Sequence, residues 1–82
     1  MRPRAIEVKP LEGYRLLIKF NNNEVKVFDV KPYLKYKQYS ELKKIEIFNT
    51  VKIAGLSIEW SNGVDICPDE LYNSSVTVNL EK

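Results

Sequence analysis

Apolar and polar positions alternate along much of this chain, the period-two signature of half-buried strands. Residues 4–9 place Ile6 and Val8 on one side and Glu7 and Lys9 on the other, which predicts a short strand ended by Pro10. Glu12-Gly13 reads as a turn. A stronger strand follows over residues 14–20, with Tyr14, Leu16, Ile18 and Phe20 on one face and Arg15 and Lys19 on the other. The Asn21-Asn22-Asn23 run suits a tight hairpin, because asparagine tolerates positive φ better than any residue except glycine. The next strand, residues 24–30, has Val25 and Val27 on one side and Phe28 and Val30 on the other, so a central position is expected. Connections this short force an antiparallel meander.

Beyond residue 30 the pattern is less regular. Lys31-Pro32-Tyr33-Leu34 fits one helical turn with proline at its first position. Ser40 is a candidate N-cap for Glu41-Leu42-Lys43-Lys44, with Ile45, Ile47 and Phe48 as apolar anchors. A short strand with Val51 and Ile53 starts at Asn49 or Thr50, and Ala54-Gly55 turns the chain. Leu56, Ile58 and Trp60 then alternate with Ser57 and Glu59 as a fifth strand closed by an Asn62-Gly63 hairpin signal. Pro68 opens a helix to about Tyr72, with Asp69 and Glu70 in the first turn where they favour the helix dipole. The tail, residues 75–82, is either an edge strand or a frayed terminus. The expected fold is α+β: one domain over residues 1–82, a small antiparallel meander plus further short strands, with one or two short helices.

Length sharpens this picture. A chain of 82 residues buries only about 60–65% of its unfolded surface, so the core is thin. Domains of this size often gain stability from a partner subunit. A single cysteine cannot close an internal disulfide, so a reducing, cytoplasmic setting is expected. No apolar run nears the roughly 18 residues of a membrane span. Met1-Arg2-Pro3-Arg4 is basic without an apolar stretch behind it, so no secretory leader is expected. The net charge of +2 conceals a split: residues 1–30 carry +2, residues 31–58 carry +4 and residues 59–82 carry −4. Such a split either steers partners or draws two faces of one domain together.

Candidate chemistry is sparse. Histidine is absent, which removes Ser-His-Asp and Cys-His nucleophile pairs and, with one cysteine, structural zinc. The three glycines are scattered and form no phosphate-binding loop. Asp65, Asp69 and Glu70 lie close enough in sequence to bind a hard cation or act as an acid/base pair, but equally serve a turn and a helix start. Cys67 falls at the N-cap, where a thiol caps poorly; Asp65 and Asp69 oppose its ionisation. Trp60 shares the side of Leu56 and Ile58, which points to the core. Lys31, Lys35, Lys37, Lys43 and Lys44 interleave with Tyr33, Tyr36 and Tyr39. That mixture suits phosphates and stacked bases, although the segment holds no arginine; it also suits a protein interface, where tyrosine is enriched.

Several of these residues together resemble the bacterial family known as domain of unknown function 2442. The features are Val8-Lys9-Pro10, the strands over residues 14–20 and 24–29, then Tyr39, Leu42 and Phe48, and finally Trp60-Ser61-Asn62-Gly63-Val64-Asp65-Ile66, Pro68-Asp69 and Leu71-Tyr72. The likeness covers about residues 5–74. It implies a small α+β domain without established activity, whose members often neighbour another small protein in a toxin–antitoxin-like arrangement. Two departures stand out: Asn22-Asn23 replaces the usual Asn-Gly, and Cys67 replaces a serine cap, a change worth about 0.5–2 kcal/mol by analogy with cap removal.

The leading expectation is a non-enzymatic, antitoxin-like interaction domain with a small protein partner encoded nearby. Its candidate contacts are Tyr33, Tyr36, Tyr39, Lys35, Lys37, Asp65, Asp69 and Glu70. Self-association is compatible with so thin a core. No cofactor is expected. A nucleic-acid module using residues 31–44 is the alternative, and a metal-assisted hydrolase at Asp65, Asp69 and Glu70 a weaker one.

Overall fold

A computed structural model describes residues 3–78. Strands β1 (Ala5–Leu11), β2 (Arg15–Phe20) and β3 (Val25–Asp29) form the expected antiparallel meander. Two 3-10 helices (Lys31–Tyr33 and Lys37–Lys43) and helix α1 (Ile45–Phe48) arch away from it. Strands β4 (Lys52–Ala54), β5 (Ser57–Glu59) and β6 (Asp65–Ile66) make a second antiparallel sheet. Helix α2 (Pro68–Ser74) follows, and β7 (Val76–Thr77) returns to the first sheet beside β3. The strand orders are β1-β2-β3-β7 and β4-β5-β6, with β1 packed next to β4. The small α+β architecture stands, divided between two sheets.

The core lies between the inner faces of the sheets and the arch. It holds Leu16, Ile18, Phe20, Phe28, Val30, Leu42, Phe48, Ile58, Trp60, Ile66 and Leu71, all buried. Trp60 is the largest of them, and its indole N–H donates to the Phe48 carbonyl at 2.9 Å. Buried polar atoms need such partners; the Ser57 hydroxyl finds its own in the Ile66 carbonyl at 2.6 Å. Both predicted hairpins form. Asn23 takes φ 73° behind Phe20, and Gly63 takes φ 89° behind Trp60, the left-handed conformations these residues adopt most cheaply.

Several expectations change. Pro10 does not end β1 but pairs with Leu16 inside it, which an edge strand permits because a missing N–H there costs no ladder bond. A bulge between Ala5 and Glu7 turns Ala5 into the core and leaves Ile6 exposed. Tyr14 sits in the turn with φ 61°, outside β2. Lys26 shares the buried face of β3 with Phe28. Ser40 caps nothing: it lies inside the second 3-10 helix and donates back to the Lys37 carbonyl at 2.9 Å. Ile45, expected as an anchor, is exposed, while Phe48 is buried. Leu56 stands exposed in the β4–β5 turn, and Ser57 is buried in its stead. The tail supplies the short strand β7, and its residues 79–82 lie outside the described residues.

Candidate functional site

Helix α2 sorts the acidic residues. Successive helical residues point about 100° apart, so Asp69 and Glu70 diverge. Asp69 faces a cleft of about 580 Å³ shared with Arg4, Leu56 and Cys67. Glu70 turns to the arch, where its carboxylate accepts hydrogen bonds from the Tyr33 hydroxyl and, at 3.1 Å, from Ser74. Asp65, on β6, lines a shallow depression with Gln38 and Tyr39. Cys67 occupies the N-cap of α2, is exposed, and makes no side-chain cap bond.

The tyrosines of the arch form a rim. Tyr33 packs on Phe28 with ring centroids 5.3 Å apart and meets Tyr39 edge-on at 5.6 Å. Burial, then its bond to Glu70, pushes the Tyr33 phenol up to about 12. Tyr36 is different: it is 52% exposed, with the Lys35 ammonium 5.4 Å from its ring centroid. Lys31, Lys35, Lys37, Lys43 and Lys44 are all exposed, and among the described residues none forms an ion pair. The charge split between residues 31–58 and 59–82 is therefore not spent on ion pairs from these lysines. Of the expected contacts, the fold brings Tyr33, Tyr39 and Glu70 together, sets Asp65 beside Tyr39, leaves Tyr36, Lys35 and Lys37 on the outer arch, and directs Asp69 into another cleft.

Sequence reasoning missed a second cluster. The Lys26 ammonium lies 3.7 Å from the centroid of the Tyr72 ring and donates to the Tyr72 carbonyl at 3.0 Å. Tyr72 in turn donates to the Glu24 carboxylate and meets Phe20 edge-on at 5.0 Å. Hydrogen bonds from Tyr72 and then from Asn22 hold the Glu24 carboxyl below its ordinary value. The available signal was parity: Lys26 stands two residues before Phe28 and four before Val30, a cation in an otherwise inward-facing row.

The strand order, the Asn62-Gly63 hairpin and the proline-led α2 are framed by one sequence pattern. The family model described as protein of unknown function (DUF2442) matches residues 5–77. The chain belongs to that family. The match begins with β1 and ends with β7, so both sheets, the arch and α2 of this DUF2442 chain fall inside it. Comparison with curated proteins and with solved structures gave no match.

Among the described residues, no three acidic or thiol side chains of the DUF2442 chain stand together as a metal-binding group. The weaker alternative, a cation site at Asp65, Asp69 and Glu70, lacks that geometry among the described residues, because α2 points its two carboxylates apart. No helix of the described residues is long and apolar enough to cross a membrane. What the arch does offer is exposed ammonium groups, an open aromatic ring and a carboxylate held in place by Tyr33. These are tools of recognition: charge attraction, stacking and hydrogen bonding.

Proposed function

We propose that this DUF2442 chain is a non-enzymatic interaction domain whose lysine–tyrosine arch receives an acidic surface of a second small protein. The observation that carries the reading is five exposed lysines on the arch with no ion pair among the described residues, together with the open ring of Tyr36 beside Lys35. Complementary charge speeds encounter and selects the partner, and an aromatic anchor supplies most of the contact energy. The antitoxin-like form of this reading, a two-protein pair encoded together, rests on the family resemblance.

Co-expression with the product of the adjacent gene, followed by co-purification, tests it. A complex that survives purification and is lost in Tyr36→Ala combined with Lys35→Glu and Lys37→Glu is the expected result. Failure to form any complex overturns the reading, and a complex indifferent to those substitutions moves the interface elsewhere. The same lysines and ring also suit single-stranded nucleic acid, and a salt titration separates the two. Affinity for DNA or RNA that falls steeply and linearly on logarithmic axes favours that second reading.

A further inference from the structure

The four-stranded sheet has two edges, and they are built differently. Strand β1 carries a bulge, Pro10, and the charges of Glu7 and Lys9, with β4 packed beside it. These are devices that keep an edge from accepting another strand. Strand β7 is short, two residues, but carries no bulge, charge or proline: residues 74–79 contain neither a charged residue nor proline. Val76 is 69% exposed, more than any other large apolar side chain among the described residues.

The backbone of β7 is also aimed outward. Lys26 faces Thr77 and Val27 faces Val76, while the Val78 N–H donates to the Val25 carbonyl at 2.9 Å. In an antiparallel ladder, bonded pairs alternate with unbonded ones. Thr77 is thus an unbonded position, with its N–H and C=O directed away from β3 to an edge that no strand of the described residues covers.

We propose that β7 pairs with β7 of a second copy, antiparallel about a two-fold axis at Thr77, joining two four-stranded sheets into one of eight. The register is self-matching. Each Thr77 exchanges N–H···O=C bonds with its counterpart, and Val76 of each copy lies opposite Val78 of the other. Threonine pairs and β-branched pairs are favourable across strands, and no like charges meet. Self-matching selects a copy over a foreign strand, and a two-fold contact of this kind closes at two chains. The outer-face row of Leu17, Val27 and Val76 then continues across the axis. The inference stands on β7 alone and is independent of the arch.

Sedimentation equilibrium of the full chain over a wide concentration range, together with amide exchange at Thr77, tests it. The mass rises from 9.6 kDa toward twice that value, and exchange of the Thr77 N–H slows as it does so. Thr77→Pro removes the outward N–H without taking a bond from the β3 ladder, and Val76→Lys places a charge on the edge; each weakens association roughly tenfold or more. A mass fixed at 9.6 kDa throughout overturns the proposal. So does a dimer whose Thr77 amide exchanges freely, or one that folded Thr77→Pro and Val76→Lys chains form as readily as the parent.

Discussion

Helix α2 is fastened on two sides by the same bond, a tyrosine hydroxyl donating to a carboxylate, with the roles exchanged. On one side the helix supplies the tyrosine: Tyr72 donates to Glu24. On the other it supplies the carboxylate: Glu70 accepts from Tyr33. The surroundings separate them. The Tyr72 ring is held between the edge of Phe20 and the buried Lys26 ammonium, which also bonds a carbonyl of the last helical turn. The Tyr33 ring leans on Phe28 and Tyr39, next to an arch whose exposed lysines form no ion pair among the described residues. One side is a lock and the other orients a surface. Hydrogen-bond chemistry alone does not tell them apart; the neighbouring cation does.

The lysines provide the strongest way to break this contrast. Lys26 is 8% exposed and combines a cation–π contact, a charged hydrogen bond and a packed stem. Lys26→Ala is expected to cost about 2 kcal/mol, the Ser75 hydroxyl remaining as a second donor to the Tyr72 carbonyl. Lys35→Ala, on the open arch, is expected to change stability by less than about 0.5 kcal/mol. Urea denaturation of both variants checks this. Equal losses would erase the distinction between lock and surface.

The two sides also fail at opposite ends of the pH scale. Glu24 has a folded pKa below the ordinary 4.5, so its contribution is present above that value and lost as pH falls through the folded one. Tyr33 is raised from 10.0 to about 12, so its contribution is present below 10 and lost as pH climbs toward 12. Melting temperature followed against pH should show Tyr72→Phe flattening the acid limb and Tyr33→Phe flattening the alkaline limb. Tyrosinate absorbance adds a direct readout: a phenol that ionises near 12 disappears in Tyr33→Phe.

Neither side of α2 could be read from the sequence, and the reason is distance along the chain. The hairpins at Asn23 and Gly63, the proline-led start of α2 and the burial of Trp60 were legible because turn residues and alternation act locally. Tyr33 and Glu70 are 37 positions apart, and Tyr72 and Glu24 are 48 apart. No periodicity encodes such a meeting, nor the return of β7 to β3. Ser40 misled for the opposite reason: its hydroxyl satisfied a carbonyl three residues back, competing with the cap role its sequence context suggested. Pro10 misled because the rule that proline ends strands weakens at a sheet edge. The arch was legible in composition, whereas the absence of ion pairs on it depends on where the acidic residues finally point.

The smallest expected effect lies between the two fastenings, at the start of α2. Cys67 has extended backbone at the N-cap, with φ −57° and ψ 136°, and makes no side-chain hydrogen bond to the first turn. Proline at the next position has no N–H, so a cap oxygen at residue 67 reaches toward the backbone two or three positions on. Cys67→Ser supplies an acceptor without changing size, and should raise stability by about 0.5–1 kcal/mol in urea denaturation. A larger gain would mean that the helix start, not the flanking tyrosines, limits how firmly α2 is held. A gain that vanishes in the wild-type background but reappears in Lys26→Ala would mean that the Tyr72 side already fixes the helix. Capping and locking would then be two routes to one ordered state, and the double variant measures how far they overlap.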